Sequence, residues 1–257
     1  MIITYVTITY NAADVLKRTL DSVLRQDYRG IVHLIIDGAS TDGTLQIVED
    51  YIQRSNAADN GHRIQVTSEP DHGIYDAMNK GLRSLDGDYV CFLNAGDFLP
   101  ASDTVSRIVS AISDQPAVLY GDTDIVDSEG RFLHHRRLAP PEHLTWKSFR
   151  HGMLVCHQAF YARTDFAIAT PYDLRYRYSA DVDWCIRIMK AAAKENIPLH
   201  NLHMVVANYT EEGQTTLHHR ESLIERFRVM TRHYGWLSTI AMHVWFVFRS
   251  LLSRKAD

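Results

Sequence analysis

Between Ile2 and Asp97 the chain alternates apolar runs with segments of helical period, and that alternation constrains the fold more than any other feature. Ile2 to Thr9 is β-branched and aromatic and reads as a strand. Val15, Leu16, Leu20, Val23 and Leu24 then fall on one helical face, with Lys17, Arg18, Asp21 and Arg25 opposite. Val32 to Ile36 is a second strand, followed by a helix through Leu45, Val48 and Ile52. Ile64 to Thr67 is a third strand, and Ile74 to Leu85 a third helix through Ile74, Met78 and Leu82. The turn chemistry of Leu85-Asp86-Gly87-Asp88 leads into a fourth strand, Tyr89 to Leu93. This β-α-β-α-β-α-β order predicts an α/β fold, because parallel strands need crossovers and helices supply them.

Each strand ends in a small, acidic or hydroxyl cluster. These are Thr9-Tyr10-Asn11, the run from Asp37 to Gly43, the run from Glu69 to Gly73, and Asn94-Ala95-Gly96-Asp97. In open α/β sheets ligands collect outside the carboxyl ends of the strands, so four such clusters can make one site. A carboxylate beside small residues suits a hard cation held against a phosphate. Taken alone, Asn94 to Asp97 reads equally as a polar loop before a helix that starts near Ser102. No GxGxxG follows the first strand and no GxxxxGK[ST] occurs, so a dinucleotide oxidoreductase or a P-loop enzyme would lack its phosphate cradle. A nucleotide here would be held by carboxylates and a metal.

The net charge of −4 gives no footprint for nucleic acid. Cys91, Cys156 and Cys185 are scattered among apolar neighbours and read as free thiols, hence a reducing compartment. His134-His135 and His218-His219 lack zinc-site spacing and read as surface pairs. The chain starts directly in a strand pattern, so no secretory leader is expected.

Beyond Asp97 a helix is expected over Ser102 to Ile112, a strand over Val118 to Asp122, and a hairpin over Asp124 to His135 turning at Ser128-Glu129-Gly130. Leu154 to Tyr161 is strand-like and carries His157-Gln158. Asp181 to Ala193 is helical, Val205-Val206-Ala207 a short strand, Glu211 to Thr216 a loop, and Leu217 to Tyr234 a long helix. On residue chemistry alone, Asp181 is an N-cap or first-turn carboxylate.

In order, Thr9-Tyr10-Asn11, Ile35 to Thr44 and Phe92 to Asp97 resemble the family 2 glycosyltransferases, whose Rossmann-like fold is GT-A. Ser68 to Gly81 is similar to a bacterial polysaccharide branch of that family, the colanic-acid-type transferases. The likeness covers roughly residues 2 to 216. It implies an inverting transfer of a hexosyl group from a UDP- or GDP-sugar to a saccharide acceptor, with Mn²⁺ or Mg²⁺ as cofactor. It further implies that Thr9 and Asn11 line the nucleoside pocket, that Asp37 binds the base edge and that Asp71 makes a second nucleotide contact. Ser40, Lys80, Ala95 and Gly96 lie in the matched segments and join the donor-binding set. Asn94 and Asp97 match the ends of a DXD-type motif, with Asn94 where an Asp is usual. Asp97 is then the metal ligand, and Asn94 either weakens metal binding or contacts the donor sugar or ribose. Tyr178 to Trp184 looks like the acidic motif that supplies the base, and Asp181 aligns with it. His157 and Gln158 fall where the branch carries a His-Gln pair facing the site. For His157 four roles stay open: diphosphate contact, acceptor contact, metal ligation, or a core histidine. Gly213 to Thr216 is similar to a loop that closes over the donor.

The organisation expected is a transferase domain over residues 1–216 and a helical tail over 217–257. Gly235 to Leu252 is apolar nearly all round, with basic residues before and after, yet short for a spanning helix. It suits an in-plane helix at the inner face of a bacterial cytoplasmic membrane, beside a lipid-linked acceptor, or a helix packed on protein. Two other functions stay open. Nucleotidyl transfer lacks its basic, glycine-rich loop here. A non-catalytic GT-A relative that binds nucleotide-sugar or acts in assembly is kept alive by Asn94 and opposed by the retained Asp97 and Asp181.

Overall fold

The structure, a computed structural model, describes residues 1–211 and 219–253. Its centre is an eight-stranded sheet in the order β3-β2-β1-β4-β7-β5-β6, with β8 beside β5. The strands are β1 (Ile3–Thr9), β2 (Ile31–Asp37), β3 (Arg63–Ser68), β4 (Tyr89–Phe92), β5 (Val118–Val126), β6 (Phe132–His135), β7 (Phe160–Arg163) and β8 (Leu199–Thr210). As expected, β1 to β4 are parallel. β1 and β2 are buried along their whole length, which is why their sequences are near-continuous apolar runs. β3 is the exposed edge, opened by Arg63.

The other half of the sheet changes direction. β7 runs antiparallel to β4 and β5 antiparallel to β7, while β8 is parallel to β5. One consequence governs the site. The carboxyl ends of β1 to β4, the segment entering β7 and the end of β8 all reach the same edge.

Helices α1 (Ala13–Leu24), α2 (Thr44–Ala58) and α3 (Ile74–Arg83) are the crossovers, followed by α4 (Thr104–Ser110), α5 (Thr164–Ala169) and α6 (Ala180–Glu195). In α1 the inward face is Leu16, Thr19, Leu20, Ser22 and Val23, and Val15 is exposed, contrary to the apolar reading. Two hydroxyls explain the shift: Thr19 Oγ1 accepts from Gly96 N at 2.9 Å and Ser22 Oγ from Leu99 N at 3.1 Å. They pin the loop after β4, so the helix turns polar groups inward. In α3, Gly81 lies so close to β1 that a Cβ there would sit 2.6 Å from Val6 Cγ1.

Three expectations change. His157 and Gln158 lie on a 3-10 turn, His157–Ala159, and the strand begins only at Phe160. α4 is shorter than the Ser102 to Ile112 helix. β8 is far longer than Val205 to Ala207; its register with β5 shifts twice, and polar residues along it hide the period. The β5–β6 hairpin forms as expected, pairing Asp124 with His135. Cys91, Cys156 and Cys185 are free.

The tail is two helices, α7 (His219–Tyr234) and α8 (Trp236–Ser253), broken at Gly235 with φ +81°. The inner face of α7 buries Ser222, Val229 and Met230, and Tyr234 stacks on Trp146 with ring centroids 5.8 Å apart. Among the described residues, no helix is long and apolar enough to cross a membrane.

Candidate active site

One side of the edge is built from the ends of β1 to β3. Asp37 is fully buried, and Ser40 N donates to it at 2.9 Å and Ser68 Oγ at 2.6 Å, with Ser40 Oγ on its other oxygen. It organises the floor from below. Asn11 has φ +46°, tolerable for Asn, and its Oδ1 accepts from Thr41 N at 2.9 Å while its own N–H donates to Ser40 Oγ at 2.8 Å. The two loops are thereby clipped together. Asp71 leans over Gly38, where a Cβ would meet its Oδ2 at 2.6 Å. Lys80 is turned to structure: its ammonium donates to Pro70 O at 2.7 Å and pairs with Glu69 at 3.1 Å, holding the Asp71 loop. Tyr10, absent from the expected set, stands 64% exposed beside Gly38, an open aromatic face on this floor. A solvent-exposed aromatic at a strand end was the signal that could have found it.

The other side of the edge is built from four segments. Gly96 has φ +100°, a conformation that favours glycine, and this turns the chain so that Asp97 points back into the protein. Asp97 is 5% exposed; Gln158 Nε2 donates to its Oδ2 at 2.8 Å and Thr210 N to its Oδ1 at 3.3 Å. Burial dominates these bonds and lifts its carboxyl to about 6. Gln158 is thus a partner of Asp97 rather than a free donor group. Ala95 lies within the same turn.

His157 bridges Asn94 and Asp181. Asn94 Nδ2 donates to His157 Nε2 at 3.1 Å, which leaves the ring proton on Nδ1, 3.4 Å from Asp181 Oδ2. On the other side Tyr75 O–H donates to Asp181 Oδ1 at 3.1 Å. Burial raises the Asp181 pKa, but the hydrogen bond from His157 and the charge of Arg226 outweigh it and hold the carboxyl below its ordinary value. His157 is therefore not an isolated core histidine. Tyr75 was also missed; nothing at short range in the sequence joins it to a residue 106 positions away.

Two buried polar atoms at the strand ends, Thr9 Oγ1 and Asn94 Oδ1, meet no hydrogen-bond partner among the described residues. Unpaired buried polar atoms are rare and call for a ligand or an ion. Asn94 Oδ1 and Asp97 are hard oxygen donors of the kind a divalent cation takes. Among the described residues no group of three or more His, Cys, Asp or Glu could hold a metal ion by itself. The donor set fits a cation that brings phosphate ligands with it. Gly213 to Thr216, expected as a closing loop, and His218 lie outside the described residues. His134 and His135 are exposed on β6, where His135 pairs with Asp124 at 2.7 Å.

The fold has solved counterparts. Staphylococcus aureus TarS 1–349 in complex with UDP aligns with TM-score 0.68 at 18% identity over 91% of this chain, which spans 65% of that chain's length. A Pyrobaculum calidifontis mannosyltransferase, PcManGT, in complex with GDP-Man and Mn²⁺, aligns with TM-score 0.62 at 16% identity over 99% of this chain and 79% of that one. At such identities the likeness shows the fold, and the fold is GT-A. By sequence, a PGL/p-HBAD biosynthesis glycosyltransferase of Mycobacterium bovis is 36% identical over 208 residues, 80% of this chain and 75% of that protein. Glycosyltransferase GlyA of Streptococcus pneumoniae is 26% identical over 134 residues, 52% of this chain and 18% of that protein. Sequence kinship thus makes glycosyltransferase the class. Residues 4–168, more than half of the chain, match Glycosyl transferase family 2, and the chain belongs to that family.

Proposed function

We propose that the chain is an inverting, metal-dependent glycosyltransferase of bacterial cell-surface glycoconjugate synthesis, with Asp181 as general base. The observation that carries this is the convergence of Asn94, Asp97, His157 and Asp181 on one edge, with the Asn94 oxygen buried and unpaired. The donor is a nucleoside diphosphate sugar, in line with the UDP and GDP-Man complexes of TarS and PcManGT. Thr9, Tyr10, Asn11, Asp37, Ser40 and Asp71 form its nucleoside floor, Tyr10 offering a ring for the base. Lys80 acts at one remove, by holding the Asp71 loop. Asn94 Oδ1 and Asp97 would hold Mn²⁺ or Mg²⁺, which neutralises charge on the departing diphosphate when bound.

Inversion needs one base opposite the leaving group. Asp181 takes the proton of the acceptor hydroxyl as that oxygen attacks the anomeric carbon. Its low pKa keeps it ionised to accept. Tyr75 and His157 fix its two oxygens, so the carboxylate meets the acceptor in one orientation. Asn94 sets the tautomer: with its N–H on Nε2, the histidine proton faces Asp181.

In this reading the Ser68 to Gly81 likeness supports a role in the bacterial polysaccharide branch. Residues 1–216 are the transfer domain in this reading, and residues 217–257 set it peripherally on the cytoplasmic face of the membrane, near a lipid-linked saccharide. Support comes from the outer face of α7 and α8, where Leu223, Ile224, Trp236, Leu237, Val244 and Trp245 are exposed. Beside them a cavity of about 510 Å³ is lined by Ile224, Phe227, Arg228, Thr231, Arg232 and Trp236. An apolar face with aromatic and basic residues matches an interfacial helix.

Asp181→Asn tests the core of the proposal. Transfer should fall by about 10²-fold or more while nucleoside diphosphate still raises the melting temperature in the presence of Mn²⁺. Normal turnover by the variant would end the assignment of the base. Nucleotide-dependent stabilisation of the wild type with neither transfer nor donor hydrolysis would favour a non-catalytic relative.

A further inference from the structure

α7 has two faces that differ in kind. The outer face exposes Leu223 and Ile224. The inner face, through Glu225, meets the backbone that carries the base. The Glu225 carboxylate accepts from three successive amides: Arg177 N at 2.8 Å to Oε1, Tyr178 N at 2.6 Å and Ser179 N at 3.1 Å to Oε2. Arg177 N also lies 3.0 Å from Oε2. One residue later α6 begins at Ala180, and Asp181 is its second residue.

That helix start has no cap of its own. Ser179 is the N-cap residue, yet its side chain makes no capping bond; its hydroxyl donates instead to Ser222 O on α7 at 3.3 Å. Glu225 therefore supplies from another helix the anion that a helix N-terminus attracts. Charged acceptors make hydrogen bonds roughly twice as strong as neutral ones, so three of them hold residues 177 to 179 firmly. Two peptide bonds separate Ser179, the end of that clamp, from Asp181. α7 also grips α6 further along, where His233 Nε2 reaches the buried Asp183 at 2.8 Å.

We infer that Glu225 is a positioning residue for the reaction, fixing the start of α6 so that Asp181 meets the acceptor hydroxyl. This rests on Asp181 being the base. Glu225 touches neither donor nor acceptor in this arrangement; it acts through the 177–179 backbone. Its loss should therefore slow the chemical step and leave donor affinity alone. A misplacement of about 1 Å in a reacting group can cost about 10²-fold, so even a small relaxation is readable.

The test uses the full chain with saturating donor and acceptor. Glu225→Gln removes the charge and should lower kcat about 10-fold or more, with donor KM and the nucleoside diphosphate Kd within about two-fold of wild type. Glu225→Asp keeps the charge on a shorter arm and should recover part of the loss. Tyr234→Phe is the control for simple loosening of α7, because Tyr234 at the far end of the same helix donates to Trp146 O at 2.5 Å, away from residues 177–179. At a comparable fall in melting temperature it should retain kcat. A Tyr234→Phe variant that loses as much kcat as Glu225→Gln would reduce Glu225 to a structural role and overturn the inference. So would a folded Glu225→Gln variant with wild-type kcat. If Asp181→Asn is itself active, the base assignment fails first; if it is dead and Glu225→Gln is not, only the present inference fails.

Discussion

Replacing Asp97 by Asn removes one ionisation from a buried part of the site. The carboxyl has a normal value of 3.8 and is lifted to about 6 in the folded chain, with burial as the leading cause. A shift of about two units corresponds to about 3 kcal/mol, at about 1.4 kcal/mol per unit. The folded value is raised, so the sign is fixed. The protein without metal holds this stability below pH 4 and loses it as pH rises to about 6 and beyond. Asparagine carries no such cost. It also fits the site: its Oδ1 can accept from Thr210 N, and Gln158 can turn its amide oxygen toward the new N–H. In urea titrations without metal, Asp97→Asn should exceed wild type by about 2–3 kcal/mol at pH 8 and match it near pH 4. Taking the difference between the two proteins cancels every other titrating group. A divalent cation with nucleoside diphosphate should stabilise the wild type and not the variant, and transfer should be lost in the variant. Equal pH dependence in both proteins would refute the claim that Asp97 ionises at an energetic cost in the empty site. A variant less stable than wild type at pH 8 would refute it as well.

Two further outcomes follow from packing and surface. Gly81→Ala puts a methyl 2.6 Å from Val6 Cγ1, a side chain boxed into β1; overpacking of about 1–3 kcal/mol exceeds the helix-propensity gain of about 1 kcal/mol. Calorimetry should show a lower melting temperature, and an unchanged one would mean that α3 shifts freely on the sheet. On the outer face, Leu237→Glu with Trp245→Glu should abolish co-flotation with vesicles containing phosphatidylglycerol while leaving transfer to a soluble acceptor intact. Both positions are at least half exposed, so charge there costs the fold little. Persistent flotation would count against the membrane reading of the tail.

Much of the first half of the site is written in short-range pattern. Period-2 and helical runs place β1 to β4 and α1 to α3. Parallel crossovers then oblige Asn11, Asp37, Asp71 and Asp97 to one edge, because all four strands point the same way. Family motifs add Asp181 and the His157-Gln158 pair. What chemistry each residue meets is another matter. Lys80, placed in the donor-binding set by resemblance, braces Pro70 and Glu69; Gln158 serves Asp97; Val15 faces water because Thr19 and Ser22 are needed inside. A hydrophobic pattern cannot distinguish an inward hydroxyl from an outward one, since both are merely polar.

The sequence by itself determined the α/β order, the strand-end clusters and the absence of a glycine phosphate cradle, since these depend on neighbours a few residues apart. Tertiary structure alone decided that β7 runs backwards beside β4. That reversal delivers His157 to Asn94 across 63 positions and to Asp181 beyond it. It alone decided that β8 ends at Asp97, that Tyr75 donates to Asp181, and that Glu225 holds the start of α6 from a helix 46 positions past Ser179. The physical reason is the same in each case. The strength of such a contact comes from burial and geometry reached only after the chain has closed long loops, and no local periodicity carries that information.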